Sequence, residues 1–415
     1  MKKVLNSGEN HLVKMKKGLT RRENLLVDLL FLASILIFVN IGPVSISFPI
    51  GIIALLYFSR RVKFRLFKNS IVWLTLLFAI GFLSSLLSEI PFESNLYFII
   101  QFVYWLLLAS MVGEMYACID KKSMAKFLAG GSVVLGAVYL MFGSASQNSV
   151  AFCLVVISPL GLYGLDKKSS KILYSLLLLL YMFFNESRTG FVILVIEMMF
   201  VYSRLFHIKN LRLITIGGIV IVVLFFLTPL HSVVGKAIEP YNEDVGNLLS
   251  DPETVFYYDK SWIQRKIQVQ KGMQIFKEHP AIGVGPTNFS KLDVNVDISG
   301  INADDTTLEA VMKGSSNRST HNSYVTLLSE FGIIGLLAFV FFVIAYLKTV
   351  FRNTKSFDDF EYMLFVCVIG MMVYFYTIAA LYGTAVWLFY GLIYGYTNLY
   401  RKVKYRRVKY RRIKK

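Results

Sequence analysis

Apolar residues gather along the chain into runs near the length that crosses a bilayer, separated by polar stretches. The runs fall at about 25–41, 43–58, 71–88, 95–117, 125–142, 149–165, 171–184, 189–206, 211–230, 322–347, 361–381 and 383–399. A helix rising about 1.5 Å per residue needs roughly 20 residues to cross the hydrocarbon, so the shorter runs must borrow flanking residues. The pattern predicts an all-α polytopic membrane protein of about 12 transmembrane helices. Nine spans lie within 1–230, a long hydrophilic segment occupies 231–321, three spans lie within 322–400, and a basic tail fills 401–415. The first span follows a polar, basic leader with no cleavage-site pattern, so it reads as a retained anchor and not as a removed signal peptide.

Composition sharpens this. Of the 415 residues 55% are apolar and 17% charged, against roughly 25% charged in an ordinary soluble domain. That excludes a soluble enzyme, and it excludes disorder. Cys118, Cys153 and Cys367 fit no disulfide framework or zinc spacing.

The net charge of +18 invites a nucleic-acid reading until its placement is considered. Lys and Arg of short loops stay on the cytoplasmic side. With both termini inside, the segments 1–24, 59–70, 118–126, 166–171, 203–212, 348–360 and 401–415 hold 34 of the 44 basic residues. The intervening short loops 89–94 and 143–148 hold none, and 185–188 holds Arg188 alone. The tail RKVKYRRVKYRRIKK then reads as an anchor on anionic lipid, at about 1 kcal/mol per charge near the surface. No nucleic acid is needed to account for it.

Segment 231–321 is far longer than an ordinary loop and is expected on the outer side. Its first third is acidic, with Glu239, Glu243, Asp244, Asp251, Glu253 and Asp259. A helix is predicted over SWIQRKIQVQKGMQIFKEH, with Ser261 as N-cap and Pro280 as the stop. Trp262, Val269, Met273 and Phe276 share one stripe of it, and Arg265 falls on the same stripe. Either the guanidinium stacks on Trp262 or snorkels to water, or it is a buried anion ligand. PAIGVGPTNF follows and lacks the Lys-Ser/Thr ending of a P-loop. Asp293, Asp297, Asp304 and Asp305 have no EF-hand spacing and read as solvated loop acids, so no metal is expected.

The return to the membrane, STHNSYVTLLSEFGIIGLLAF, carries the densest chemistry. Ser319 or Thr320 can cap the helix, which places His321 in its first turn. The positive end of the helix keeps such an imidazole neutral, able to accept a proton, and attracts anions. The alternative is an interfacial capping histidine. Glu330 lies nine residues on, about 13 Å deeper and on the opposite side, a mid-membrane carboxylate and so a functional candidate. Gly332 and Gly335 read as a thin surface for close helix packing. Arg188, in NESRTG, defies the charge rule, so it either has a task or snorkels from a helix end. Glu197 is mid-span and unexplained.

At these residues the chain resembles the O-antigen ligase/polymerase superfamily, membrane glycosyltransferases acting on sugars carried by undecaprenyl pyrophosphate. The likeness rests on SRTG opening a span, on W..R......G...F..HP..GVGP.NF, and on His321 and Asn322 followed by Gly332 and Gly335. It covers about 185–340, with a weaker QNSVAF at 147–152. It implies a GT-C-like helical fold, metal-independent chemistry without a cofactor, and a site on the outer face of the cytoplasmic membrane. It further implies that Arg188 and Arg265 grip the lipid pyrophosphate while His321 assists the acceptor. Asn322, Trp262 and Glu330 join the two arginines as expected substrate-binding residues; Tyr257 and Tyr258 could bind sugar or simply pack. The expected partners are lipid-linked oligosaccharide donor and acceptor, membrane lipids, a flippase and a chain-length regulator. Polymerisation of repeat units is the first reading. Ligation of finished glycan to a lipid A core or protein is the alternative. A flippase is disfavoured by the absence of repeated halves.

Overall fold

The structure, a computed structural model, describes residues 18–36, 40–41, 44–142, 147–185, 187–207, 209–228, 230–240, 249–250, 260–294, 296, 301, 303, 308, 311, 319–353 and 357–413. Some helical side chains, among them Arg188 and 401–413, lie outside that description. Among the described residues, nine helices precede the long segment. They are α1 (Arg21–Ile35), α2 (Ser47–Ser59), α3 (Ile71–Leu87), α4 (Glu93–Met115), α5 (Lys121–Phe142), α6 (Gln147–Gly164), α7 (Lys168–Phe184), α8 (Arg188–Leu205) and α9 (Lys209–Leu227). The segment itself contributes α10 (Leu230–Ile238) and α11 (Lys260–Glu278). Then come α12 (Ser323–Arg352), α13 (Asp359–Tyr374) and α14 (Thr384–Ile413). A two-residue antiparallel hairpin, β1 (Asn40–Ile41) with β2 (Val44–Ser45), joins α1 to α2.

A helix thus stands at each of the twelve apolar runs. Helices are what lipid demands, because each satisfies its own backbone groups. Among the described residues, four stretches are long and apolar enough to cross a membrane: Asn95–Met115, Lys121–Met141, Gln147–Gly164 and Ser323–Arg352. Several expected boundaries differ, among them that of the run 25–41, which is helical only to Ile35 and leads into the hairpin. The run 361–381 is helical only to Tyr374, and the run 383–399 continues as helix through the basic tail to Ile413.

The expected inside segments meet at one end of the bundle. Lys122 and Lys126 pair with Asp166 at 3.0 and 2.8 Å, Lys121 with Asp358 at 3.7 Å, and Arg204 with Asp359 at 2.8 Å. Hydrogen bonds from Lys126 and Lys122 pull the Asp166 carboxyl down to about 2. The Lys171 ammonium donates to the carbonyls of Leu162 and Leu165, closing the C-terminal end of α6. Along the bundle axis α4 packs on α14 through an aromatic block. Trp105 and Trp387 stack at 6.2 Å, and Phe98 meets the Tyr382 ring edge-on at 4.6 Å.

At the other end α12 is broken, and the break is filled by the long segment. Gly332 has φ +63° and ψ −169°, so Ile333 and Ile334 cannot donate to the carbonyls of Ser329 and Glu330 as a continuous helix would require. The loop PAIGVG takes over both halves of the exchange. Ile333 and Ile334 donate instead to the carbonyls of Pro280 and Ala281, at 2.9 and 3.2 Å. The N–H groups of Val284 and Gly285 donate to the carbonyls of Ser329 and Glu330, at 3.0 and 2.9 Å. Irregular backbone is tolerated at membrane depth only when protein satisfies it in this way. Close approach requires glycine on both sides: a Cβ at Gly332 would strike Ala281, and one at Gly283 would strike the Glu330 backbone. The sequence-based expectation of a thin packing surface at Gly332 is therefore corrected. This glycine interrupts its helix.

Candidate functional site

At the end opposite the ion pairs, the starts of α6, α8 and α12 lie beside the finish of α13. Tyr374, the last residue of α13, is 1% exposed. Its hydroxyl lies 3.2 Å from the Ser187 hydroxyl and donates to the Asn148 carbonyl at 3.5 Å. Ser187 is the N-cap of α8, where its Oγ accepts the N–H of Gly190 at 3.4 Å. Asn148 belongs to the first turn of α6, whose Gln147 carbonyl also accepts from the Asn185 amide at 3.1 Å. The start of α12 is held beside them. The N–H of Ser323 donates to the Phe375 carbonyl at 2.8 Å, and its hydroxyl donates to the Ile378 carbonyl at 2.6 Å. Tyr324 donates to the Met372 carbonyl at 2.7 Å. The N-terminal ends of α6, α8 and α12 thus converge, each with the partial positive charge of a helix start, an arrangement that favours an anion.

The residues expected to act arrive here from separate stretches. Arg188 is the first residue of α8. Arg265 is half-buried on α11, and its charge contributes to the electrostatics of Tyr374. The Arg265 Nε is buried and has no hydrogen-bond partner among the described residues. Helix α11 is seated on the first turns of α12, where Gly272 leaves no room for a Cβ against Val325.

His321 sits just outside α12, not in its first turn. The N-cap is Asn322, whose side chain accepts the N–H groups of Tyr324 and Val325 at 2.9 and 3.1 Å. The expected cap, Thr320, instead locks the turn before the helix. It donates to the Asn322 carbonyl at 2.8 Å, bonds Thr326 at 2.6 Å and accepts the Asn322 N–H at 3.2 Å. That turn holds His321 at φ +51°, a conformation L-residues rarely adopt outside Asn, Asp and His, and one that concentrates at functional sites. The correction matters chemically, because a residue before the N-cap stands in front of the helix end instead of on its flank.

The expected face of α11 is also corrected. Its buried residues are Ile263, Ile267, Gln268, Lys271, Gly272 and Ile275, while Trp262 is 38% exposed and carries Lys266, not Arg265, over its ring at 5.6 Å. The helix starts at Lys260, so Ser261 lies inside it. The helix carries two apolar stripes, and the one with Gly272 wins because only that side lets α12 approach. Lys271 then falls in a row of isoleucines, 7% exposed, with its ammonium 5.0 Å from the Phe289 ring. Burial holds it below the usual ammonium range, opposed by the charge of Asp293.

Glu330 faces protein. One oxygen accepts the N–H of Phe289 at 3.3 Å and the other accepts the Tyr382 hydroxyl. Beside it, Lys291 donates to the side-chain oxygens of Asn95 and Asn288, at 2.8 and 3.2 Å. Glu197, deep in α8, accepts from the Ser158 hydroxyl at 3.2 Å and packs against Gly370. Sequence reasoning passed over Tyr374, Ser187 and Tyr382, because a tyrosine in an apolar run gives no signal of what its hydroxyl will meet. A groove of about 550 Å³ opens between α8 and α13 next to Arg188, lined by Thr189, Val192, Ile193, Met372, Val373, Tyr376 and Thr377. Among the described residues no three His, Cys, Asp or Glu side chains group as metal ligands. Most of the acids of 239–259 and 297–305, with Tyr257 and Tyr258, lie outside the described residues.

No curated protein matches the chain. Residues 173–340, from within α7 to within α12, match the family model described as O-antigen ligase. The match takes in Arg188, Arg265, His321, Asn322, Glu330 and Gly332, while α1 to α6 lie outside it. Residues 173–340 are thus similar to the O-antigen ligase family, a likeness that supports the O-antigen ligase/polymerase superfamily for this part of an all-helical chain whose apolar helices indicate a membrane protein.

Proposed function

We propose that this protein polymerises undecaprenyl-pyrophosphate-linked oligosaccharide repeat units into a surface polysaccharide, at a site on the outer face of the cytoplasmic membrane with both termini inside. The observation that carries this reading is that the start of α8, whose first residue is Arg188, and the start of α12, preceded by His321, are both tied to the end of α13, while α11, which carries Arg265, is seated on the first turns of α12. The apolar groove beside Arg188 suits the isoprenoid chain of such a donor.

The reaction follows from these groups. An acceptor sugar hydroxyl attacks the anomeric carbon of the donor, and the neutral imidazole of His321 takes the hydroxyl proton. The bond from that carbon to the pyrophosphate oxygen breaks, and the oxygen leaves with the electron pair. Two guanidiniums and the helix N-termini stabilise the charge that grows there. A single displacement inverts the anomeric carbon. Asn322 fixes the turn that aims His321.

A ligase reading is the second one, favoured by the description of the matching family. Glycan-length profiles of a deletion strain complemented with wild type or His321→Ala separate the two. Loss of long chains with single repeats retained supports polymerisation, and long chains stranded on carrier lipid support ligation. Sugars trapped on the cytoplasmic side would overturn both.

A further inference from the structure

Arg188 and Arg265 come from elements that share no covalent scaffold: α8 is part of the bundle, and α11 belongs to the long segment. Something must fix the distance between them, because charge stabilisation of a leaving group is lost steeply with misplacement. The end of α13 is where the start of α8 is tied to the bundle, and α11 is seated close by, on the first turns of α12. Tyr374 is fully packed, with its ring edge-on to Phe152 of α6 at 5.4 Å, so its hydroxyl has one available position. From there a directional chain runs into the bundle. The Gly190 N–H donates to Ser187, the Ser187 hydroxyl can donate to Tyr374, and Tyr374 donates to the Asn148 carbonyl. The residue after Ser187 is Arg188. The charge of Arg265 also acts on this phenol.

We infer that Tyr374 is a positioning residue for glycosyl transfer: its hydroxyl, held between Ser187 and Asn148, sets where the first residue of α8 presents Arg188 relative to Arg265. It touches no substrate and acts through the N-cap. The inference rests on the transferase reading above, and it assigns a role to a residue of α13 that lies outside the family match.

The test uses the full chain in lipid vesicles, with the lipid-linked oligosaccharide that accumulates in a deletion strain as probe. Tyr374→Phe removes one oxygen and keeps the packed ring; Ser187→Ala removes its partner. Each is expected to lower kcat by about 10- to 100-fold with donor KM unchanged, since the interaction serves the transition state. The double variant is expected to be no slower than the slower single one, because both break the same contact. A Tyr374→Phe protein with wild-type kcat, or losses in the two singles that multiply in the double, would overturn the positioning role while leaving the transferase reading standing. A wild-type protein that leaves the lipid-linked probe unextended would overturn the transferase reading, and this role with it.

Discussion

The N–H of Gly285 donates to the main-chain oxygen of Glu330 at 2.9 Å, an acceptor whose own helical donor is withdrawn by the break at Gly332. The contact welds a loop of the long segment into a helix of the bundle, and with it the segment that delivers Arg265. Gly332→Ala would force a side chain into a left-handed backbone at about 1–2 kcal/mol and drive a Cβ into Ala281. The expected result is a marked fall in membrane abundance and thermal midpoint. Gly217→Ala, where a Cβ meets nothing, is the matched control and is expected to be neutral or stabilising by up to about 1 kcal/mol.

His321 pairs strain with chemistry. At φ +51° glycine is better suited than histidine, so His321→Gly is expected to raise the thermal midpoint or leave it unchanged while removing transfer activity. Differential scanning in detergent beside an activity assay reads both. A variant that stays active would remove the imidazole from the mechanism; one that unfolds would mean that the turn, and not the reaction, needs the ring.

Glu330 was expected from sequence to bind substrate, and the structure engages both of its oxygens with Phe289 and Tyr382. Glu330→Ala would leave two buried donors without acceptors, about 1–3 kcal/mol each. Loss of stability is therefore expected to exceed any change in donor KM, and Tyr382→Phe should show a milder form of the same effect. A Glu330→Ala protein of wild-type stability with a raised donor KM would restore the substrate-binding role.

Asp166 gives the pH signature of the opposite end. Its folded-state carboxyl is depressed to about 2 by Lys126 and Lys122, so its contribution is present above the usual carboxylate range and lost as pH falls towards that value. The thermal midpoints of wild type and Asp166→Asn should differ by a constant amount between about pH 8 and pH 5 and draw together below about pH 4. A gap that widens on acidification would show that these ion pairs do not stabilise the bundle end.

The helices were legible because bilayer length and the placement of Lys and Arg both leave marks in one sequence. The ion pairs of Lys121, Lys122, Lys126 and Arg204 gather segments that the charge pattern had assigned to one side. Arg188, Arg265 and His321 were singled out through motif and exception: an arginine in a loop expected to lack one, an arginine on an expected apolar stripe that is not the docked one, and a histidine at a re-entry point. What failed to show was everything set by contact across the fold. The docked stripe of α11 was misread because two stripes were available and Val325 chose between them through Gly272. The N-cap was placed two or three residues early because Ser319, Thr320 and Asn322 can all serve as caps until the turn forms. The break at Gly332 was invisible because its reason, the loop at 280–285, lies about fifty residues away.

The central claim is that guanidiniums from two distant stretches stabilise a lipid pyrophosphate leaving group while His321 takes the acceptor proton. Its most direct measurement is glycan extension by purified protein in vesicles on a lipid-linked oligosaccharide, wild type against Arg265→Ala at equal folded amounts. The expected outcome is chain growth by the wild type and a loss of about 100-fold or more in the variant. Undiminished growth in Arg265→Ala, with Arg188→Ala behaving the same way, would contradict it.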